Sequence, residues 1–263
     1  MFLSGASVLL TGATGGIGHA VARELGSRGA RLTLSGRRAD VLEPLASELG
    51  ARALSADLSK PAEVERLVAN AGEVDILVNN AALPASGTLD SFSMEEIDRA
   101  LAVNLRAPIA LAHALVPAMV ERDRGHLVFM SSLAGKAATA GAALYNATKY
   151  GLRGFATALR ADLRSSGVGV SAVFPGFIRD AGMFADAQVR LPPGVGTRSP
   201  EDVARAVVTA IERNRAEIDV APLPLRAGAT LAGLAPELSA TLGRRFGGET
   251  LSRNIGAGQR DKR

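Results

Sequence analysis

The chain has 263 residues, 47% hydrophobic and 21% charged, a composition typical of a globular protein that can bury a sizeable core. It has no cysteine, which excludes disulfides and cysteine-based zinc sites, and its three histidines lack the spacing of metal ligands, so no metal is expected. The net charge is only +4 despite a basic pI, and basic residues alternate with acidic ones, so nucleic acid is not an expected partner.

Short apolar runs alternate with longer amphipathic stretches along the chain. Runs of strand length occupy residues 7–10, 31–35, 51–56, 76–79, 126–131, 168–174 and 217–220. Helical patterns lie between them, at about residues 16–28, 40–49, 61–70, 94–121, 142–166 and 200–214. This alternation predicts an α/β fold of one domain, residues 1–263, with a doubly wound, mostly parallel seven-stranded sheet and helices on both faces.

Helix starts are marked by side chains that cap free backbone N–H groups. Ser93 followed by Glu96 predicts a capping box at the start of the helix at 94–121. Ser199 and Pro200, followed by two acidic residues, predict the start of the helix at 200–214.

Two segments fall outside the alternation. Residues 180–199 are rich in proline and glycine without a clear period, which predicts a mobile loop or lid with a short helix. Residues 225–246 form a further amphipathic helical pattern, broken near Pro236, in a C-terminal extension of about residues 225–250. This extension either covers a pocket, joins a partner subunit or touches a membrane surface, the last being the least favoured.

The start of the chain has neither a basic leader nor a run long enough to span a membrane. A cytoplasmic protein without membrane contact is therefore expected.

A glycine-rich segment follows the first predicted strand directly and opens the first helix. Its sequence is Thr11-Gly12-Ala13-Thr14-Gly15-Gly16-Ile17-Gly18. Glycines here permit a tight turn and close backbone approach to a pyrophosphate, while the helix N-terminus offers N–H groups to the phosphate oxygens. The position of the segment between strand and helix predicts a bound nucleotide.

The end of the second strand indicates which nucleotide. Ser35-Gly36-Arg37-Arg38 presents two guanidinium groups, where NAD-binding proteins carry an acid for the ribose 2′-hydroxyl. Arginine suits a 2′-phosphate because its planar charged group binds phosphate bidentately. We therefore expect NADP(H) to be the preferred cofactor, with NAD(H) as the second option. Arg37 is the stronger candidate for the residue that binds the 2′-phosphate. The alternative without a functional role is a solvated pair of arginines after the strand.

Asp57 follows the third strand and has two interpretations that the sequence leaves open. Its carboxylate either caps the helix that begins near Pro61 or hydrogen-bonds the adenine.

Tyr145-Asn146-Ala147-Thr148-Lys149 places a proton donor and a cation four residues apart, on one face of a helix. A nearby ammonium lowers the pKa of a tyrosine, which can then exchange protons near neutral pH. Such a pair is common by chance and does not by itself predict catalysis. Ser132 and Asn80, however, follow the fifth and fourth strands, at the edge where a doubly wound sheet binds its ligand.

These segments together resemble the short-chain dehydrogenase/reductase family of the simple single-domain type, over roughly residues 6–220. The glycine segment is similar to its cofactor loop, and Asn79-Asn80-Ala81-Ala82 to its Asn-Asn-Ala-Gly segment, with Ala82 in place of glycine. Pro175-Gly176 resembles its Pro-Gly motif, and Asn104 matches its catalytic asparagine. Ser132 precedes Tyr145 by 13 positions, as in the family.

The resemblance implies a Rossmann fold and an oxidoreductase that transfers a hydride between NADP(H) and a carbonyl or alcohol. Tyr145 would be the acid/base and Ser132 would polarise the substrate oxygen. Lys149 would bind the nicotinamide ribose and lower the pKa of Tyr145, and Asn104 would hold a water of a proton relay. The implied cofactor-binding residues are Gly12, Thr14, Gly16, Ile17, Gly18, Arg37, Arg38, Asp57, Leu58, Asn80, Ala81, Ala82, Tyr145, Lys149, Pro175, Gly176 and Ile178.

The alternative function is a nucleotide-binding regulatory or redox-sensing protein with little turnover. One position departs from the family pattern, because Asp180 stands where a threonine often follows the Pro-Gly motif. Its carboxylate is expected to accept a hydrogen bond from the cofactor amide, to pair with Arg179, or to perturb cofactor affinity.

The substrate pocket is expected to be apolar, which favours an apolar carbonyl or alcohol. Its expected lining is Leu83, Leu133, Ala138, Met183, Phe184, Val189 and Leu191. The helices at 94–121 and 142–166 resemble the family's dimer-forming pair, so a homodimer or homotetramer is expected.

Overall fold

The computed structural model describes residues 2–187, 191, 195–235, 237 and 258, and there the predicted alternation of strands and helices is present. The strands are β1 Ser7–Thr11, β2 Arg31–Gly36, β3 Arg52–Ser55, β4 Ile76–Asn79, β5 Gly125–Met130, β6 Val168–Pro175 and β7 Glu217–Val220. They form one seven-stranded sheet in the order β3-β2-β1-β4-β5-β6-β7, with every pair parallel. The strand order reverses between β1 and β4, which opens a ligand crevice at the carboxyl ends of the strands.

Helices cover both faces of the sheet and confirm the doubly wound fold class. They are α1 Gly16–Ser27, α2 Ala39–Glu48, α3 Pro61–Ala71, α4 Met94–Leu101, α5 Ala107–Glu121, α6 Ala143–Asp162, α7 Gly182–Ala187, α8 Pro200–Glu212 and α9 Leu223–Leu234. Alternate side chains of β1 face opposite layers. Val8 and Leu10 pack with α1, α2 and α8, whereas Leu9 packs with α3, α5 and α6.

The predicted caps are present at both helix starts. The Ser93 side chain accepts from the Glu96 N–H, and the Glu96 carboxylate accepts from the Ser93 N–H. Ser199 and Asp202 form the same reciprocal pair at the start of α8, with Pro200 at its first position.

The helix predicted at 94–121 has the expected limits, but a π-helical turn at Ala102–Arg106 separates α4 from α5. By length and composition, the stretch Met94–Glu121 could cross a membrane. Its inward face nevertheless packs in the protein core, where Leu111 and Met119 are fully buried.

The two irregular segments are described in part. The predicted lid contains the short helix α7, while residues 188–190 and 192–194 of it lie outside the described residues. The C-terminal helix starts at Leu223, before the predicted position 225, and ends at Leu234. Pro236 and most of the later residues lie outside the described part of the chain.

Candidate active site

A cavity of about 890 Å³ opens at the carboxyl ends of the strands. Its walls come from the loops that follow β1 to β6 and from residues of α1, α4, α6, α7 and α9. Ser132 lines this cavity, as do the predicted cofactor residues Gly12, Thr14, Gly16, Ile17, Gly18, Arg37, Arg38, Leu58, Asn80, Ala81, Ala82, Tyr145, Lys149, Pro175, Gly176 and Ile178. Asp57 and Asn104 are not part of its lining.

The glycine loop is packed too closely to accept side chains at two positions. Gly12 has a φ of +67°, and a Cβ there would lie 2.7 Å from the Cα of Ala81. A Cβ on Gly18 would collide with the carbonyl oxygen of Gly12. At the N-cap of α1, Gly15 provides no side-chain cap, so the first N–H groups of the helix are left for another acceptor beside the cavity. This arrangement fits a phosphate group.

The end of the cavity beside β2 is basic. Arg38 donates to the carbonyl oxygen of Thr14 at 2.5 Å and so holds the glycine loop. Arg37 is exposed, and no described residue forms an ion pair or side-chain hydrogen bond with it. A third cation, Arg99 of α4, also lines the cavity, as does the buried Ser35, whose hydroxyl has no hydrogen-bond partner among the described residues. The donors at this end fit a phosphorylated ribose.

The sequence reasoning did not single out Ser35 or Arg99. Ser35 ends a strand beside the two arginines, which is a signal that could have been used. Arg99 lies within an amphipathic helix, where only the tertiary fold shows that it reaches the cavity.

Asp57 stabilises the turn before α3. Its carboxylate accepts from both the N–H and the hydroxyl of Ser59, at 3.1 and 2.8 Å. Burial alone would raise the pKa of Asp57, but these hydrogen bonds and the charges of Arg37 and Arg99 outweigh it and hold the pKa below its usual value. The N-cap of α3 is Lys60, so the helix-cap interpretation of Asp57 is wrong, and the adenine contact stays a prediction.

Ser132 and Tyr145 both line the cavity wall, and the interaction of the Ser132 hydroxyl with the Tyr145 phenol acts to lower the pKa of Tyr145. Ser132 begins a 3-10 turn after β5, donates to the carbonyl oxygen of Pro175 at 3.3 Å and accepts from the Ala134 N–H at 3.2 Å.

Lys149 lies one helical turn beyond Tyr145, as the spacing predicted. Its Nζ donates to the Met130 carbonyl oxygen at 2.9 Å and lies 5.6 Å from the centre of the Tyr145 ring. Burial lowers the pKa of Lys149 to about 8. Burial also raises the pKa of Tyr145, against the opposing hydrogen bond with Ser132. The expected lowering of the Tyr145 pKa by Lys149 is therefore not seen in this structure.

Asn104 lies in the π-helical turn and is almost fully buried. Its Oδ1 accepts from the Leu83 N–H at 2.6 Å, and its Nδ2 donates to the Leu83 carbonyl oxygen at 2.9 Å. The side chain thus holds the loop after β4. The water of the expected proton relay would have to bind Asn104 at atoms other than these two hydrogen-bond contacts with Leu83.

The end of the cavity beyond Tyr145 is apolar. Leu83, Leu133, Met183 and Phe184 line it as predicted, whereas the predicted Ala138 and Leu191 do not, Ala137 lining it instead of its neighbour Ala138. Val189 lies outside the described residues. Phe177 and Leu225, which the sequence reasoning missed, extend this wall, and the rings of Phe177 and Phe184 are 5.0 Å apart.

Asp180 lies outside this cavity. Its carboxylate forms an ion pair with Arg179 at 3.4 Å and its side chain is 75% exposed. Of the three expected roles, pairing with Arg179 is the one that the structure contains.

Comparisons with known proteins agree with this geometry. A family model described as short chain dehydrogenase matches residues 6–190. Ketoacyl reductase HetN of Nostoc sp. is 35% identical over 232 residues, covering 85% of this chain and 81% of that protein.

Two solved structures have the same fold. One, a short-chain dehydrogenase from Sphingobium yanoikuyae in complex with NADPH, has a TM-score of 0.77 and 29% identity, covering 93% of this chain and 95% of that one. The other, a 3-ketoacyl-(acyl-carrier-protein) reductase from Brucella melitensis complexed with NADH, has a TM-score of 0.75 and 28% identity, covering 83% of this chain and 97% of that one. The chain belongs to the short-chain dehydrogenase/reductase family, and it is an oxidoreductase of the class that acts on CH–OH groups with a nicotinamide cofactor.

Proposed function

We propose that this protein interconverts a carbonyl and an alcohol with NADP(H), using Tyr145 as the proton donor and acceptor, and that one domain of residues 1–263 does so. The observation that carries the proposal is that Tyr145 and Ser132 interact at the wall of one cavity. The pair lines the same cavity as the glycine loop and Arg37. Cofactor and substrate bound in that cavity would both be within reach of the two hydroxyls.

The bound nicotinamide supplies or accepts the hydride. Ser132 orients and polarises the substrate oxygen, to which Tyr145 gives its proton during reduction and from which it takes one during oxidation. Lys149, with a pKa of about 8, is mostly protonated at neutral pH, so its charge stabilises the phenolate that proton transfer leaves on Tyr145. Asn104 supports the site by holding Leu83, a residue of the cavity wall.

The preference for NADP(H) over NAD(H) rests on the basic end of the cavity. Arg37 is a permanent cation at the end of β2 without an ion-pair partner among the described residues, so a 2′-phosphate there gains a charge-assisted contact. The proposed cofactor site consists of the glycine loop, Arg37, Arg38, Leu58, residues 80–82, Tyr145, Lys149, Pro175, Gly176 and Ile178, with Asp57 near the adenine.

The proposed substrate is a small molecule whose carbonyl or alcohol carries an apolar body. The apolar wall beyond Tyr145 supports this, because Leu83, Phe177 and Phe184 offer no partner for a charged group. Two of the similar proteins are named ketoacyl reductases, so acyl thioesters belong among the first substrates to test. We further propose a cytoplasmic homo-oligomer without nucleic acid or membrane partners.

The variant Tyr145→Phe tests the proposed chemistry. Removal of the phenol hydroxyl is expected to lower kcat by about 100- to 10,000-fold, the usual contribution of general acid/base catalysis. The measurement is NADPH oxidation over a panel of ketones, aldehydes and acyl thioesters, with the reverse reaction followed over the alcohols.

The matched control is Tyr150→Phe, the only other tyrosine, which is partly exposed on the same helix and outside the cavity lining. This control is expected to retain full activity. Persistent NADPH oxidation by Tyr145→Phe would remove Tyr145 from its proposed role. Cofactor binding without turnover by the wild type on every substrate would favour the regulatory alternative.

A further inference from the structure

The loop that follows β5, residues 131–139, supplies much of the active-site wall, and we refer to it as the Ser132 loop. It contains a single 3-10 turn, Leu133–Gly135, and is otherwise irregular. The members that line the cavity are Ser131, Ser132, Leu133, Ala134, Ala137 and Thr139. The position of Ser132 relative to Tyr145 therefore depends on what holds an irregular loop against α6.

Asn146, the residue after Tyr145, makes three hydrogen bonds to this loop. Its Nδ2 donates to the carbonyl oxygens of Ala134 at 2.6 Å and of Ala137 at 3.2 Å. Its Oδ1 accepts from the Thr139 N–H at 3.3 Å. The side chain is buried and does not itself line the cavity. All three of its loop partners are cavity-wall residues.

We propose that Asn146 is a positioning residue that fixes the Ser132 hydroxyl against the Tyr145 hydroxyl. Successive residues of a helix point about 100° apart, so Tyr145 faces the cavity while Asn146 faces the loop. One rigid helix thus carries the proposed acid/base and, through the next side chain, holds the residue that orients the substrate oxygen. The inference rests on the roles proposed for Tyr145 and Ser132.

Other contacts keep the loop folded when the amide of Asn146 is absent. Ser131 Oγ donates to the Lys149 carbonyl oxygen at 3.0 Å, and Gly135 packs so closely on that carbonyl that a Cβ there would lie 2.7 Å from the oxygen. Lys136 Nζ reaches Asp219 on β7 at 2.6 Å. Loss of the Asn146 contacts therefore shifts the loop relative to Tyr145 without unfolding it.

The small number of aromatic residues allows the position of Ser132 relative to Tyr145 to be followed through the titration of a single tyrosine. The chain has two tyrosines and no tryptophan, so a Tyr150→Phe background leaves Tyr145 as the only source of tyrosinate absorbance. Lys149 is the charged group one helical turn from Tyr145, and Ser132 is the residue whose hydroxyl interacts with the Tyr145 phenol. Since the interaction with Ser132 lowers the pKa of Tyr145, displacement of the Ser132 hydroxyl is expected to raise that pKa.

The experiment replaces Asn146 in the Tyr150→Phe background and titrates Tyr145 in the cofactor-free protein. Asn146→Ala removes the amide, and Asn146→Leu removes the hydrogen bonds while keeping the volume. Both are expected to raise the pKa of Tyr145 as Ser132→Ala does. They are also expected to lower kcat by about 100-fold, the scale of a misplaced reacting group, while NADPH affinity measured by calorimetry is unchanged. In the Asn146→Ala/Ser132→Ala double variant the losses should not add.

The control is Asn70→Ala, because the Asn70 amide also donates to a backbone carbonyl, that of Arg66, on the exposed surface of α3 far from the cavity. It should leave both the titration and kcat unchanged. Lower thermal stability of both Asn146 variants with an unaltered Tyr145 pKa and kcat, or fully additive losses with Ser132→Ala, would overturn the proposal. The titration needs no turnover, so it decides this inference even if Tyr145→Phe contradicts the proposed function.

Discussion

Tyr145 and Lys149 differ in what the sequence could reveal about them. Their spacing predicted correctly that they share one face of α6, because helical periodicity is local. Their protonation depends on burial, and their burial depends on residues that are distant in the sequence. The carbonyl oxygen of Met130 accepts from Lys149, and desolvation brings the pKa of that lysine to about 8 while raising the pKa of Tyr145. A periodic pattern contains no information on such desolvation.

Asp57 and Asn104 show a related limit at single residues. Both residues were assigned roles from their positions in the sequence. The Asp57 carboxylate and the Asn104 amide, however, bind the groups that the fold brings near them. Asp57 accepts from Ser59 in the preceding turn rather than capping α3, and Asn104 is committed to Leu83. The identity of a polar residue predicted a role, but its partners could be found only from the tertiary structure.

Arg37→Asp tests cofactor choice at the scale of one residue. The change removes a charge-assisted contact to the proposed 2′-phosphate and adds repulsion, so NADPH affinity is expected to fall by about 10- to 100-fold. NADH affinity should fall little, because NADH has no 2′-phosphate. Calorimetric titration of each nucleotide measures both affinities. As a control, Arg213→Asp makes the same charge change beyond the end of α8, outside the cavity lining. Equal wild-type affinity for NADPH and NADH would contradict the role of Arg37.

Elements were predicted well where one period dominates. β4 and β7 have the predicted limits, while the strand expected at 51–56 is shortened to Arg52–Ser55. The π-helical turn at Ala102–Arg106 was missed, because one wide turn barely disturbs the spacing of apolar residues. That turn places Asn104 against the loop after β4, so a deviation that the sequence does not reveal is part of the site.

A buried charge cluster links the Ser132 loop to β7. Lys136 Nζ lies 2.6 Å from Asp219 and 2.8 Å from Glu217, and 4.1 Å from the centre of the Phe174 ring. Its side chain is only 11% exposed. Sequence alone cannot reveal this cluster, because it joins a loop after the fifth strand to carboxylates on the seventh.

The variant Lys136→Met should therefore destabilise the protein. It removes the cation that Asp219 and Glu217 share, while Arg153 remains 2.7 Å from Glu217 and Arg226 remains 3.9 Å from Asp219. The free energy of unfolding is therefore expected to fall by about 2 kcal/mol, the cost of losing a hydrogen bond to a charged group. Urea unfolding followed by circular dichroism provides the measurement. Arg23→Met breaks an exposed pair with Glu48 and is expected to cost about 0.5 kcal/mol at most. Similar losses in the two variants would show that the Lys136 cluster contributes no more than a surface ion pair.

At the scale of the whole molecule, the site is predictable because the fold class orders the motifs. A doubly wound sheet brings the ends of β1, β2, β4, β5 and β6 to one edge, so motifs scattered from Gly12 to Gly176 had to converge. Cavity residues that do not follow the end of a strand, such as Leu225 on α9 and Arg99 on α4, were missed. The apolar far end of the cavity was predicted in character, but only some of its residues were correct.

The outer surfaces of α5 and α6 lie on the same face of the sheet and are the proposed contact between subunits. Their exposed small or apolar residues include Ala114, Pro117, Ala118, Val120, Ala147, Tyr150, Gly154 and Ala158. A patch of this kind is more easily buried by a second copy than left in water. The wild-type protein is therefore expected to sediment as a dimer or tetramer.

Gly154→Arg tests the oligomer while sparing the fold. A Cβ at Gly154 meets no atom within 4 Å, so the subunit itself tolerates a side chain there. A charged side chain in the middle of the patch should block close packing of two copies and shift the mass measured by sedimentation equilibrium to that of a monomer. Gly228→Arg is a close match, since Gly228 is also an exposed helical glycine with open space at its Cβ, but it lies on α9. An unchanged mass for Gly154→Arg, or a monomeric wild type, would exclude this face as the subunit contact.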